Sequence, residues 1–231
     1  MLAGPNGSGK STLVPRLRHV ISLGVSVNAD EIEQLLRAEV SLSFADWRLL
    51  LTQADLAAFS ALPSSQRLPV ETLAALRVAN NQLLLGEIEI NSYLAAWLAE
   101  LLRFYLLKSK QSLLFETVMS HHSKVDFLSE ARAQGFRTYL YYVATADPLI
   151  NLERVASRVA KGGHPVPPEK IIERYYRSLE LLLPAIKQTD RAYLFDNSGD
   201  EPHLLAEITN GREVSYQVAE VPQWVIQALG Q

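Results

Sequence analysis

No cysteine occurs in the 231 residues, which excludes a disulfide framework and any Cys-ligated zinc or iron–sulfur centre. Neither sign of charge dominates. The 22 basic and 25 acidic side chains leave a formal net charge of −3, so a globally basic nucleic-acid binder is not expected. Long hydrophobic runs are missing too: the greasiest stretch, Leu94 to Leu107, contains Glu100 and Arg103 and is too short to span a bilayer. The opening MLAGPNGSGKSTL has no basic start and no apolar h-region, so no secretory signal is read there. Internal repeats and low-complexity tracts are also lacking. These absences lead to the expectation of a cytoplasmic protein with neither membrane nor nucleic acid among its partners. What the chain does have is 48% hydrophobic and 20% charged residues, a composition that builds a core. Its length suits one large domain that buries roughly 70–75% of its unfolded surface.

The chain starts on a motif. Gly4-Pro5-Asn6-Gly7-Ser8-Gly9-Lys10-Ser11 matches G-x-x-x-x-G-K-[ST], the phosphate-binding P-loop, and Thr12 follows it. Glycines let the backbone fold around phosphates with its N–H groups pointing inward, and a helix N-terminus adds partial positive charge. Lys10 is the residue that reaches the β- and γ-phosphates, and Ser11 offers its hydroxyl to Mg²⁺, so ATP and Mg²⁺ are the expected cofactors. A P-loop ordinarily follows a buried strand, yet only Met1-Leu2-Ala3 precede Gly4, so the natural chain is expected to begin upstream of Met1.

Beyond the loop, a helix is expected over Ser11 to Leu23, with Pro15 inside it, then a short strand from Val25 ending at Asp30. Residues 41 to 90 read as short helical stretches broken by Pro63 and Pro69, and a helix from Asn91 carries Leu94, Trp97, Leu98, Leu101, Leu102 and Tyr105 on one stripe. Ser112–Phe115 reads as a buried strand ending at Glu116-Thr117. Ser123 to Ala133 reads as a helix opened by Ser123 and Asp126 in capping-box spacing. Thr138–Ala144 and Ala192–Phe195 are further strands, Asp147-Pro148 opens a helix, and Asn210-Gly211 marks a hairpin. Apolar strands alternating with helices predict an α/β fold. With the P-loop, this becomes a nucleoside triphosphate hydrolase/kinase-like parallel sheet with helices on both faces, a helical insertion and a C-terminal β-hairpin. We expect a single domain over 1–231, with the insertion at about 41–110 and a lid at about 147–183.

Asp30 lies twenty positions after Lys10 at a strand end, and Glu116 ends another strand. In open parallel sheets ligands sit beyond the carboxyl ends of the strands, so both carboxylates are placed to take a proton from a hydroxyl or to help hold Mg²⁺. The plainer alternatives are that Asp30 caps the helix starting at Glu31 and that Glu116 is paired to a nearby base. In the lid segment Arg154, Arg158 and Lys161 share one helix face, and Lys170, Arg174 and Arg177 another, with Gly162-Gly163-His164 between them. Arginines supply planar donors for a transferring phosphoryl group, and the alternative is two solvated helix faces.

The P-loop alone also reads like that of transporter ATPases, but their LSGGQ-type signature and Asp-Glu strand end do not occur here. The loop, Asn28-Ala29-Asp30-Glu31-Ile32, Phe115-Glu116-Thr117, Arg154 to Arg158 with Gly162-Gly163-His164, and Arg174-Tyr175-Tyr176-Arg177-Ser178 together resemble the zeta toxin family of P-loop kinases, over roughly 4–36 and 111–199. The resemblance implies ATP-dependent phosphorylation of a small-molecule hydroxyl, with a UDP-N-acetyl sugar as acceptor and an antitoxin protein as partner. It implies Asp30 as base, Lys10, Arg154 and Arg158 as the phosphate clamp, and Glu116, Thr117 and Arg174 as substrate contacts. A second reading is a nucleotide-dependent switch or ATPase with a protein partner docked on the helical insertion.

Overall fold

The computed structural model describes residues 1–21, 23–39, 41–163 and 165–230. Along the chain come β1 (Leu2–Ala3), α1 (Lys10–Val20), β2 (Val25–Val27), α2 (Ala29–Glu39), β3 (Ser41–Ser43), α3 (Gln53–Ser60), α4 (Val70–Ala75), β4 (Arg77–Ala79), β5 (Gln82–Leu84), α5 (Ser92–Lys108) and β6 (Leu113–Thr117). They are followed by α6 (Ser123–Ala133), β7 (Tyr139–Ala144), α7 (Pro148–Ala160), α8 (Pro168–Glu180), α9 (Leu182–Ile186), β8 (Arg191–Asp196), β9 (His203–Thr209), β10 (Glu213–Tyr216) and α10 (Gln223–Leu229). The chain divides into two compact units, one of residues 1–22 with 116–231 and one of residues 23–115. The second unit therefore starts well before the expected insertion boundary near 41.

In the first unit the strands follow the order β10-β9-β8-β7-β1, and Glu116-Thr117 of β6 pair with Leu2-Ala3. The pairs β1–β7, β7–β8 and β1–β6 are parallel, and β9 and β10 close the edge as the antiparallel hairpin that Asn210-Gly211 foretells. Leu140, Tyr142 and Ala144 point to one face of β7 and Tyr141 and Val143 to the other, yet all are buried, as a strand covered on both sides requires. Tyr142 shares a hydrogen bond with Ser178 Oγ at 3.0 Å, and burial pushes its phenol pKa upward. Short as it is, β1 is wholly buried, and the Met1 nitrogen extends its ladder by donating to Tyr139 O at 2.7 Å.

The second unit pairs β2 with Leu113–Phe115 of β6 in parallel, and α2 packs on α5. The expected apolar stripe of α5 is buried at every position named, and Asn91 caps the helix through Tyr93 N and Leu94 N. The same helix buries Arg103, with its guanidinium 4.8 Å from the Phe115 ring centre and Glu100 beside it; desolvation lowers its pKa to about 10. The segment read as purely helical contains a separate antiparallel sheet in the order β3-β5-β4. Its β4–β5 turn is Asn80-Asn81, both at positive φ (50° and 61°), the conformation of a type I′ hairpin that asparagine tolerates.

Candidate nucleotide-binding site

The loop between β1 and α1 has the backbone a phosphate cradle needs. Gly7 and Gly9 take φ of 75° and 86°, and a Cβ on Gly4 would lie 1.9 Å from Val143 O. Lys10 Nζ lies across the loop, donating to Gly4 O and Pro5 O at 2.8 Å each. Ser11 Oγ donates to Glu116 Oε2 at 2.9 Å, and Thr12 Oγ1 to Gly9 O at 2.6 Å. Asn6 Oδ1 and Ser8 Oγ are buried with no hydrogen-bond partner among the described residues.

Thr117 O accepts from Gly4 N at 3.2 Å, while its hydroxyl accepts from Met119 N at 3.0 Å, so both groups shape the turn after β6. Beside Gly9 and Thr12 opens a cavity of about 310 Å³, also lined by Arg16, Arg154, Asn197, Asp200 and Pro202. Arg154 forms part of its wall with its guanidinium engaged by backbone: Nη1 donates to Asn197 O at 2.6 Å and Nη2 to Gly199 O at 2.9 Å. Arg16 pairs with Glu201 at 3.2 Å.

The structure gathers the loop, Glu116, Thr117, Arg154, Arg158 and Arg174 in the first unit and places Asp30 in the second. Asp30 is not the cap of its helix. Asn28 holds that position: its Oδ1 accepts from Asp30 N at 2.9 Å and its backbone O from Ile32 N at 3.0 Å. Glu33 of the same helix pairs with Arg37. The basic faces differ from each other. Arg158 is exposed on α7, Arg174 half-buried on α8, and Arg177 pairs with Glu173 at 2.8 Å, the solvated arrangement weighed as the alternative. His164 of the expected hinge lies outside the described residues. The capping box at Ser123 is replaced: Ser123 Oγ meets His121 Nδ1 at 3.0 Å and Asp126 meets His122 Nδ1 at 2.9 Å.

Two site residues escaped the sequence reading. Asn151 of α7 donates from Nδ2 to Asn6 O, and Asn197 after β8 donates from Nδ2 to Ser8 O at 2.8 Å. Asn151 sits on the otherwise apolar inward stripe of α7, a signal legible in hindsight, whereas Asn197 reads as an ordinary turn residue.

Among the described residues no three His, Asp or Glu side chains gather to hold a metal ion, and no helix is long and apolar enough to cross a membrane. Ser11 and Glu116 nevertheless offer the hard oxygen donors that suit Mg²⁺ held mainly by phosphates.

Loop, cradle and adjoining cavity define a P-loop nucleotide-binding domain. The chain belongs to the AAA-domain family, whose model matches residues 1–182. No curated protein matches the sequence. Two solved structures resemble it, both of an AvrRxo1-ORF1:AvrRxo1-ORF2 complex. The one with sulphate ions superposes with a TM-score of 0.53 at 16% identity, over 94% of this chain and 60% of that chain. The one with ATP gives 0.52 at 16% identity, over 93% and 59%. This chain thus spans about three fifths of the length of its structural counterpart, and at that identity the likeness is one of fold.

Proposed function

We propose that the protein is an ATP-dependent phosphotransferase of zeta-toxin type that moves the γ-phosphate to a hydroxyl of a small molecule, with a UDP-N-acetyl sugar as the first acceptor to try. The observation that carries this reading is the phosphate loop with Lys10 folded on it, Ser11 tied to Glu116, and a base-sized cavity beside Gly9 and Thr12. Lys10 holds the β- and γ-phosphates. Arg154, which also lines the cavity, and Arg158 steady the transferring group, and Arg174 contacts the acceptor. Ser11 and Glu116 would hold Mg²⁺, whose charge would offset that of the phosphates. Glu116 keeps the Ser11 hydroxyl directed, and Thr117 supports the acceptor's approach. Asp30, released from capping by Asn28, takes the acceptor's proton. Cytoplasmic action and an antitoxin-like protein partner belong to the same reading.

The test is incubation with ATP, Mg²⁺ and candidate sugar nucleotides, followed by mass spectrometry for the gain of one phosphoryl group. The native chain is expected to phosphorylate an acceptor and Lys10→Ala is not. ATP turnover without any phosphorylated acceptor would favour the second reading, a switch or ATPase with a docked protein. That reading draws on the exposed Leu50, Val70 and Tyr93 of the second unit (86%, 76% and 72% exposed) and on the solved counterpart being a two-component complex.

A further inference from the structure

We infer that Asn151 and Asn197, two asparagines outside the motif, are positioning residues that set the phosphate-binding geometry of the loop. A trans peptide unit holds its C=O and N–H antiparallel, so a carbonyl pinned outward turns the next N–H inward. Asn151 Nδ2 pins Asn6 O, which aims the Gly7 N–H into the cradle. Asn197 Nδ2 pins Ser8 O, which does the same for the Gly9 N–H. Convergent N–H groups are what an anion nest consists of.

Each clamp is itself held. Thr145 Oγ1 donates to Asn151 Oδ1, which fixes that amide with its nitrogen toward the loop, and Tyr175 OH secures Thr145 O at 2.6 Å. Asn197 N donates to Ala144 O at 2.8 Å, and Asn197 O accepts from Arg154. The two asparagines are 0% and 6% exposed, so water does not compete for their side-chain amides. The loop glycines fit the same account. A Cβ on Gly7 would lie 2.6 Å from Asn151 O and one on Gly9 2.1 Å from Asn197 Nδ2, so these positions admit the clamps as well as the phosphates. The inference rests on the loop's binding of phosphate and not on the identity of the acceptor.

The experiment uses the full chain and two probes, ATP and inorganic tripolyphosphate, which carries no base. Asn151→Leu and Asn197→Leu keep the volume and remove the donor. Asn151→Asp and Asn197→Asp place there a carboxyl that donates only when protonated. Dissociation constants are measured by calorimetry well below each melting temperature, at pH 5 and pH 8. The Leu variants are expected to bind both probes about tenfold or more weakly at either pH. Burial at these sites raises the carboxyl pKa above its ordinary value of about 3.9, so the Asp variants are expected to approach native affinity at pH 5 and to lose it at pH 8, relative to the native chain at each pH. A lowered melting temperature with native dissociation constants would mean packing alone and overturn the inference. Should a Leu variant fail to fold, its Asp counterpart decides, and a pH-independent affinity ratio to the native chain overturns the clamp. Failure of the native chain to bind either probe would instead sink the phosphate-loop reading itself.

Discussion

At Ser11 the hydroxyl donates its proton to Glu116 Oε2, which leaves the oxygen with lone pairs able to ligate a cation. Glu116→Gln can still accept that proton but loses the charge that favours a cation nearby. The Mg²⁺ concentration needed for half-maximal nucleotide binding should then rise by roughly tenfold, the usual scale for a group that orients a metal ligand. A titration curve matching the native one would place Glu116 elsewhere in the mechanism. Asn28 and Asp30 separate in the same way. Asn28→Ala removes the cap and should cost about 1 kcal/mol, read as a lower melting temperature. Asp30→Asn should leave the melting temperature almost unchanged and cut phosphoryl transfer by about 10²–10⁴-fold, the share of a general base. An Asp30→Asn variant with normal transfer would remove it from the chemistry.

Elements were legible where one period governed them. The stripe on α5, the β9–β10 hairpin and the proline start of α7 could be read directly, because a single hydrophobic face or a single turn dictates each. The β3-β5-β4 sheet was not, because its strands are three residues each and too short to show alternation. Asn80-Asn81 was its one local mark. On α8 the buried line is Ile171, Tyr175 and Ser178, which places a polar residue inward. Tyr142 claims Ser178 from the sheet side, a tertiary demand that hydrophobic spacing does not carry. The phosphate loop was fully legible, its asparagine clamps were not, since they come from residues some 145 and 189 positions away in sequence.

On the scale of the whole molecule, every residue of the phosphate loop and of the adjoining cavity belongs to the first unit. Nucleotide alone should therefore slow amide exchange chiefly around residues 4–12, 144–154 and 197–202. Mass spectrometry of exchanged peptides with and without ATP measures this, and equal protection spread through residues 23–115 would refute it. The same division sorts the three tryptophans. Trp47 and Trp97 lie in the second unit, and Trp224 in the first. Trp224 donates its indole N–H to Asp196 Oδ2 at 2.8 Å, and the other oxygen of that carboxylate receives Ser198 N at 2.8 Å, flanking the clamp Asn197. The protein is thus wired for light: with Trp47 and Trp97 replaced by phenylalanine, the emission of one indole reports on the loop that holds the nucleotide.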